Sequence, residues 1–129
     1  MRVFLAGATG AIGRRLVPLL TANGHEVIGT TRSPDKGESL RRLGAEPVVM
    51  DGLDRGAVLQ AVTGAEPDIV IQQQTALSGK LNMRRFDQSF AVTNELRIRG
   101  TQYLLEAAIA AGASRLLAQS YTGRPMVWF

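Results

Sequence analysis

The sequence predicts a three-layer, doubly wound α/β fold with a parallel sheet, formed as one domain over residues 1–129. Three observations carry this expectation. Five short apolar runs alternate strictly with stretches of helical periodicity. The stretches are about a dozen residues long, as crossovers between parallel strands require. Three glycines, Gly7, Gly10 and Gly13, stand at the first strand-to-helix junction.

The first run, "RVFLAG", is short, apolar and closed by glycine, as in a strand buried on both faces. Beyond it, Ile12, Leu16, Leu19 and Leu20 recur at helical spacing up to Asn23-Gly24, a C-terminal stop. Pro18 falls inside that helix, removes one backbone hydrogen bond and is expected to bend it. "HEVIGTTR" is the second strand. Ser33 is then expected to cap a helix with Pro34 at its first position and Gly44 at its end. "EPVVM" is the third strand, followed by a helix through Val58 and Val62 with Asp54 as its cap. "PDIVIQ" is the fourth. After the loop "QQTALSGKLN", one long helix is expected along Phe86, Phe90, Thr93, Leu96, Gly100, Leu104, Ala107 and Ala111. It ends at Gly112, and "SRLLAQS" is the fifth strand.

Composition excludes several classes of function. With 45% hydrophobic and 20% charged residues, the chain is of ordinary globular type. It has no cysteine, hence no disulfide or thiolate metal site, and His25 is its single histidine. The net charge of +4 comes from an excess of arginine, with only Lys36 and Lys80 as lysines. The arginines are spread as Arg14-Arg15, Arg41-Arg42, Arg84-Arg85 and Arg97/Arg99, with no interleaved aromatics. Solvated helix faces explain them, and no nucleic-acid partner is expected. Val3 to Ala6 is too short for a secretory apolar region of about 7–15 residues. No apolar run approaches the ~20 residues of a membrane span. A cytoplasmic protein without membrane contact is the expectation.

Glycines at a strand-to-helix junction permit the tight turn, close backbone approach to a pyrophosphate, and close packing of helix on strand. The helix start adds free N–H groups and a positive dipole end. The loop is therefore expected to bind a dinucleotide through Gly7, Ala8, Thr9, Gly10, Ala11, Ile12 and Gly13, against the alternative of an ordinary βα turn. About 20 residues further on, a carboxylate would hold the ribose hydroxyls of NAD, whereas an arginine would accept the 2′-phosphate of NADP. The sequence there is "GTTRS", without an acid and with Arg32 at the strand's end. A guanidinium fork suits phosphate, so NADP is expected in preference to NAD, with a solvated loop charge as the alternative for Arg32.

The stretch "GATGAIG" resembles the cofactor loop of the short-chain dehydrogenase/reductase superfamily, particularly its extended branch of NAD(P)-dependent epimerases and dehydratases. "VVMDGLD" resembles that family's acidic turn, which implies that Asp51, with Gly52 beside it, contacts the adenine amino group. "DIVIQQQTAL" resembles its fourth-strand segment and "GTQYLLEAAIAAGASRLLAQS" its long helix and fifth strand. The resemblance implies a Rossmann-type domain with strand order 3-2-1-4-5 and without the later strands. Two departures stand out. Gln72, Gln73 and Gln74 replace the family's histidine and small residues, and Arg97 occupies the usual place of a helix asparagine.

The resemblance also implies catalysis by a tyrosine, a lysine four residues later and a hydroxyl at the end of the fifth strand. Ser120 matches the hydroxyl, with Thr122 second and a backbone-bonding hydroxyl as the alternative. Tyr103 and Tyr121 are followed four residues later by Ala107 and Pro125, so the tyrosine–lysine pair is absent. The expectation is the NAD(P)(H)-binding part of an epimerase/dehydratase-like oxidoreductase acting on an unidentified small molecule, without turnover of its own. The alternative is a non-catalytic NADP-binding, sensing or partner-binding module. Leu116 and Leu117, on a fifth strand at the sheet's edge beside the long helix, imply self-association into a homo-oligomer.

Overall fold

A computed structural model of the chain describes residues 1–75 and 86–119, and for 86–90 the backbone alone. Strands β1 (Arg2–Ala6), β2 (Glu26–Thr31), β3 (Ala45–Val49), β4 (Ile69–Gln72) and β5 (Arg115–Ala118) form one parallel sheet in the order β3-β2-β1-β4-β5. The connecting helices are α1 (Gly13–Ala22), α2 (Gly37–Leu43), α3 (Arg55–Ala65), α4 (Phe86–Glu95) and α5 (Thr101–Ala111). The expected fold class and strand order are thus observed. Pro47, which cannot donate to a ladder, sits on β3, an edge strand where that loss is tolerated.

Side-chain alternation splits the core into two layers. Val3 and Leu5 of β1 join Val27 of β2 and Ile71 of β4 beneath α1 and α2, where Val17 and Leu40 are buried. Phe4 and Ala6 join Ile28 and Val70 on the opposite face, against Val58 and Val62 of α3 and Leu104 and Ala107 of α5. The chain changes sides of β1 between β3 and β4. That reversal opens a crevice beyond the C-terminal ends of β1, β2 and β4.

Three local expectations need correction. Ile12 and Leu19 are exposed, and α1 instead buries Gly13 and Val17, with Leu16 and Leu20 half-buried. Gly13 must press against the preceding loop, and this sets the helix's rotation. Ser33 occupies the cap position but makes no side-chain cap bond, and Pro34–Lys36 is a 3₁₀ turn that leads into α2. The long helix is interrupted by a π turn at Leu96–Gly100. The extra residue keeps Thr93, Leu96, Gly100, Leu104 and Ala107 on the buried side.

Other expectations hold. Asp54 caps α3, its Oδ1 accepting from the Ala57 N–H at 3.1 Å. Gly44 and Gly112 end α2 and α5 in left-handed geometry. Exposed ion pairs engage Arg41 with Glu38, Arg55 with Glu106 and Arg99 with Glu95, in keeping with arginines on solvated faces. Among the described residues β5 lies at a sheet edge, Leu116 packing on the core and Leu117 lying 53% exposed.

The rotation that the π turn gives to α5 is open to test. Leu104→Ala should destabilise the protein by about 2–5 kcal/mol, whereas Leu105→Ala should stay within about 0.5 kcal/mol of the parent. Denaturant titration of both variants checks this, and similar costs at the two positions would contradict the phase.

Candidate functional site

The crevice is built around Gly7. At φ +85°, a Cβ there would lie 2.7 Å from Gln74 Cα and collide with the Gln73 carbonyl. The Gly7 N–H donates to Thr30 Oγ1 at 2.9 Å and the Ala8 N–H to the Thr30 carbonyl at 2.9 Å. On the other side, the Gln73 N–H donates to the Ala6 carbonyl at 2.8 Å. The end of β1 is therefore clamped between the ends of β2 and β4, with no space for a side chain.

The other two glycines differ in kind. A Cβ on Gly13 would overlap the Gly7 carbonyl and stand 2.8 Å from Ala8 Cα, so close packing of loop and helix requires glycine. A Cβ on Gly10 would meet nothing nearer than the Gly7 carbonyl at 3.6 Å. The fold itself leaves that position open. The start of α1 carries no side-chain cap and no acid in its first turn. The Arg14 and Arg15 N–H groups already donate to the Gly10 and Ile12 carbonyls, each at 3.1 Å, and the helix dipole there favours an anion.

The cleft is lined by Gly7, Thr9 and Gly10 from the loop, and by Thr30, Thr31, Arg32 and Ser33 from the end of β2. Lys36, Met50, Gln73, Gln74, Thr75 and Leu96 complete it. Met50 and Leu96 make a buried apolar floor, 3% and 2% exposed. At the rim, Arg32 and Lys36 are exposed, and neither is held in an ion pair among the described residues. Thr31 stands where a ribose-binding acid would be expected. Its Oγ1 accepts from the Ser33 N–H at 3.1 Å, which fixes the turn that carries Arg32.

The glutamines at the end of β4 divide into two roles. Gln72 Nε2 donates to the Leu96 carbonyl at 3.0 Å and to Thr101 Oγ1 at 3.4 Å, tying the sheet to the π turn. Gln72 Oε1 accepts from the Gln74 N–H at 3.1 Å. The Gln74 carboxamide packs closely on Gly52, filling the space that a Cβ there would take. Its Oε1 is buried without a hydrogen-bond partner among the described residues.

The residues expected from the sequence are brought together in part. Gly7, Thr9, Gly10 and Arg32 line the cleft. Ala8 is buried in the core with its N–H already committed to Thr30, while Ala11 and Ile12 are exposed on the loop. Asp51 is exposed beyond β3, its Oδ1 accepting from the Leu53 N–H at 3.0 Å, and Gly52 is buried under Gln74. Ser120, Tyr121 and Thr122 lie outside the described residues. Lys36, Met50, Gln74 and Leu96 were not anticipated. Two of them carried a signal, Lys36 as a second cation four residues beyond Arg32 and Gln74 as one of the glutamines that depart from the family's small residues. Among the described residues no group of three potential ligands could hold a metal ion, and no helix is long and apolar enough to cross a membrane.

A crevice at the strand ends, a glycine loop at a helix start and free cations at its rim define a nucleotide-binding domain of the doubly wound class. Residues 7–126 match the family model described as NAD(P)H-binding, and the chain belongs to that family. It is 48% identical over 122 residues to a 3-diazoavenalumate denitrifying reductase from a Streptomyces species, an alignment covering 93% of this chain and 38% of that protein. It is 30% identical over 132 residues to the 4-hydroxy-2-methyl-3-oxo-4-farnesyl-3,4-dihydroquinoline-1-oxide ketoreductase of Stigmatella aurantiaca, covering 98% of this chain and 37% of that one. The chain thus spans less than two fifths of these relatives. Among solved structures it is similar to the UDP-glucose 4-epimerase of Thermotoga maritima, with a TM-score of 0.74 and 24% identity over 92% of this chain and 37% of that one. The UDP-glucose 4-epimerase of Stenotrophomonas maltophila, solved with bound NAD, gives 0.72 and 21% over 95% and 37%. These likenesses confirm the Rossmann-like parallel sheet.

The unequal glycines yield a test. Gly13→Ala should cost about 1–3 kcal/mol through overpacking, whereas Gly10→Ala should melt within a few degrees of the parent. Thermal unfolding of the two variants reads the difference, and an undisturbed Gly13→Ala protein would contradict the loop packing described here.

Proposed function

We propose that this chain is the NADP(H)-binding part of a reductase of the NAD(P)H-binding family. The observation that carries the choice of cofactor is the pair Arg32 and Lys36 at the cleft rim, free of ion pairs among the described residues, with Thr31 in place of a carboxylate. A 2′-phosphate would meet two cations there, whereas ribose hydroxyls would find no acid to bind them. The opening of α1 fits a pyrophosphate on the same grounds, being uncapped, free of acid and open above Gly10. When bound, the nicotinamide supplies or accepts the hydride. The chain's own residues bind and orient it: the loop 7–13 holds the pyrophosphate, Arg32 and Lys36 the 2′-phosphate, and Asp51 the adenine amine.

The names of the two relatives, a reductase and a ketoreductase, support reduction of a small organic substrate as the whole protein's activity. Ser120 enters this reading as the hydroxyl that assists proton transfer at the substrate.

Calorimetric titration with NADPH and NADH tests the assignment. Wild type should prefer NADPH, and Arg32→Glu should lose roughly tenfold or more in NADPH affinity, since a charge-assisted hydrogen bond contributes about 1.5–3 kcal/mol. NADH affinity should change little. Equal affinities for the two nucleotides, or an indifferent variant, would overturn the NADP assignment.

A further inference from the structure

Gln74 is the one polar side chain of the cleft left with a buried, unsatisfied atom among the described residues. Its neighbour two positions back shows the contrast. Gln72 uses both ends of its carboxamide, on the Leu96 carbonyl, Thr101 Oγ1 and the Gln74 N–H. Gln74 is itself 8% exposed, and its Oε1 is turned in between two glycines. A Cβ on Gly52 would occupy the space of the carboxamide, and one on Gly100 would stand 3.4 Å from Oε1. Packing has been cleared on both sides for a carboxamide whose acceptor finds nothing to bind. Buried acceptors are normally satisfied, and one left open calls for an explanation.

The surroundings specify what would satisfy it. Met50 and Leu96 are buried apolar residues lining the same cleft, a surface suited in chemistry to an aromatic base, and Gln74 lines the cleft with them. The terminal torsion of glutamine is broad, so the amide can turn its oxygen toward the cleft without displacing the backbone that Gln72 holds. We propose that Gln74 is a specificity-determining residue for the bound dinucleotide, its Oε1 swinging into the cleft to accept one N–H of the adenine amine. This inference rests on the dinucleotide-binding reading above. The amine carries two protons, which allows one to go to Asp51 and the other to Gln74.

Binding of NADPH and of its analogue with hydrogen in place of the 6-amino group, to the full chain, provides the test. Wild type should prefer the adenine form, and Gln74→Met should reduce that preference about fivefold, the scale of one neutral hydrogen bond. Gln74→Glu, which keeps the shape and an acceptor, should retain it. Gln74→Met should melt no lower than wild type without nucleotide, because it removes an unsatisfied buried atom. The side-chain amide resonance of Gln74 in the unmutated protein should move with NADPH and much less with the analogue. Failure of both nucleotides to bind would overturn this inference together with the dinucleotide reading. Tight binding with a preference unchanged in Gln74→Met would overturn this inference alone. A lower melting temperature with equal loss for both nucleotides would assign Gln74 a purely structural role and overturn it as well.

Discussion

Everything at the candidate site depends on one steric constraint, the lack of room for a side chain at Gly7. The end of β1 is clamped by hydrogen bonds to Thr30 on one side and by the Gln73–Ala6 bond on the other. Because Gly7 turns at φ +85° inside that clamp, the chain leaves the sheet sharply and α1 starts directly above the strand ends. Gly13 then packs on the Gly7 carbonyl, which fixes both the position of the helix start and its rotation. The cleft is the space that remains when these contacts are made. Its polarity follows from what lines it: the glycine loop at one wall, arginine and lysine at the rim, apolar side chains on the floor.

The opposite wall is less usual. Three glutamines, Gln72 to Gln74, stand at the end of β4 where an apolar strand would give way to small residues. One of them, Gln72, bonds to the carbonyl at the start of the π turn and so couples the sheet to the long helix. A π turn costs regular helix geometry, and such turns recur at functional sites. Here it has a visible partner. The same segment sets Gly100 close to the carboxamides of Gln72 and Gln74, so the helix backbone itself forms part of the wall.

The layer architecture was legible because short apolar runs such as Val3–Ala6, which the sheet buries on both faces, alternate strictly with stretches of helical spacing. The helix stops at Gly44 and Gly112 and the cap at Asp54 were legible for the same local reason. The rotation of α1 was not, since Ile12 and Leu19 look as apolar as Val17. Only the contact between Gly13 and Gly7, distant in neither sequence nor chemistry but invisible in periodicity, decides which face turns inward. The π turn was illegible because a single inserted residue leaves the spacing of Leu96, Gly100 and Leu104 compatible with an ordinary helix. At the site, Gly7, Thr9, Gly10 and Arg32 could be read from local motif and position. Met50, Gln74 and Leu96 come from three different elements and meet only through tertiary structure.

The central claim is that the ends of β1, β2, β3 and β4, together with the start of α1, form one dinucleotide site. Backbone amide shifts recorded while NADPH is titrated into the full chain test it most directly. The account predicts the largest changes at Gly7, Thr9, Gly10 and Gly13, at Arg32 and Ser33, and at Gly52, Gln74 and Leu96. The amides of α2 beyond Gly37 and of β5 should hardly move. Changes centred on the exposed faces of α3 or α5, or an unchanged spectrum at saturating NADPH, would contradict it.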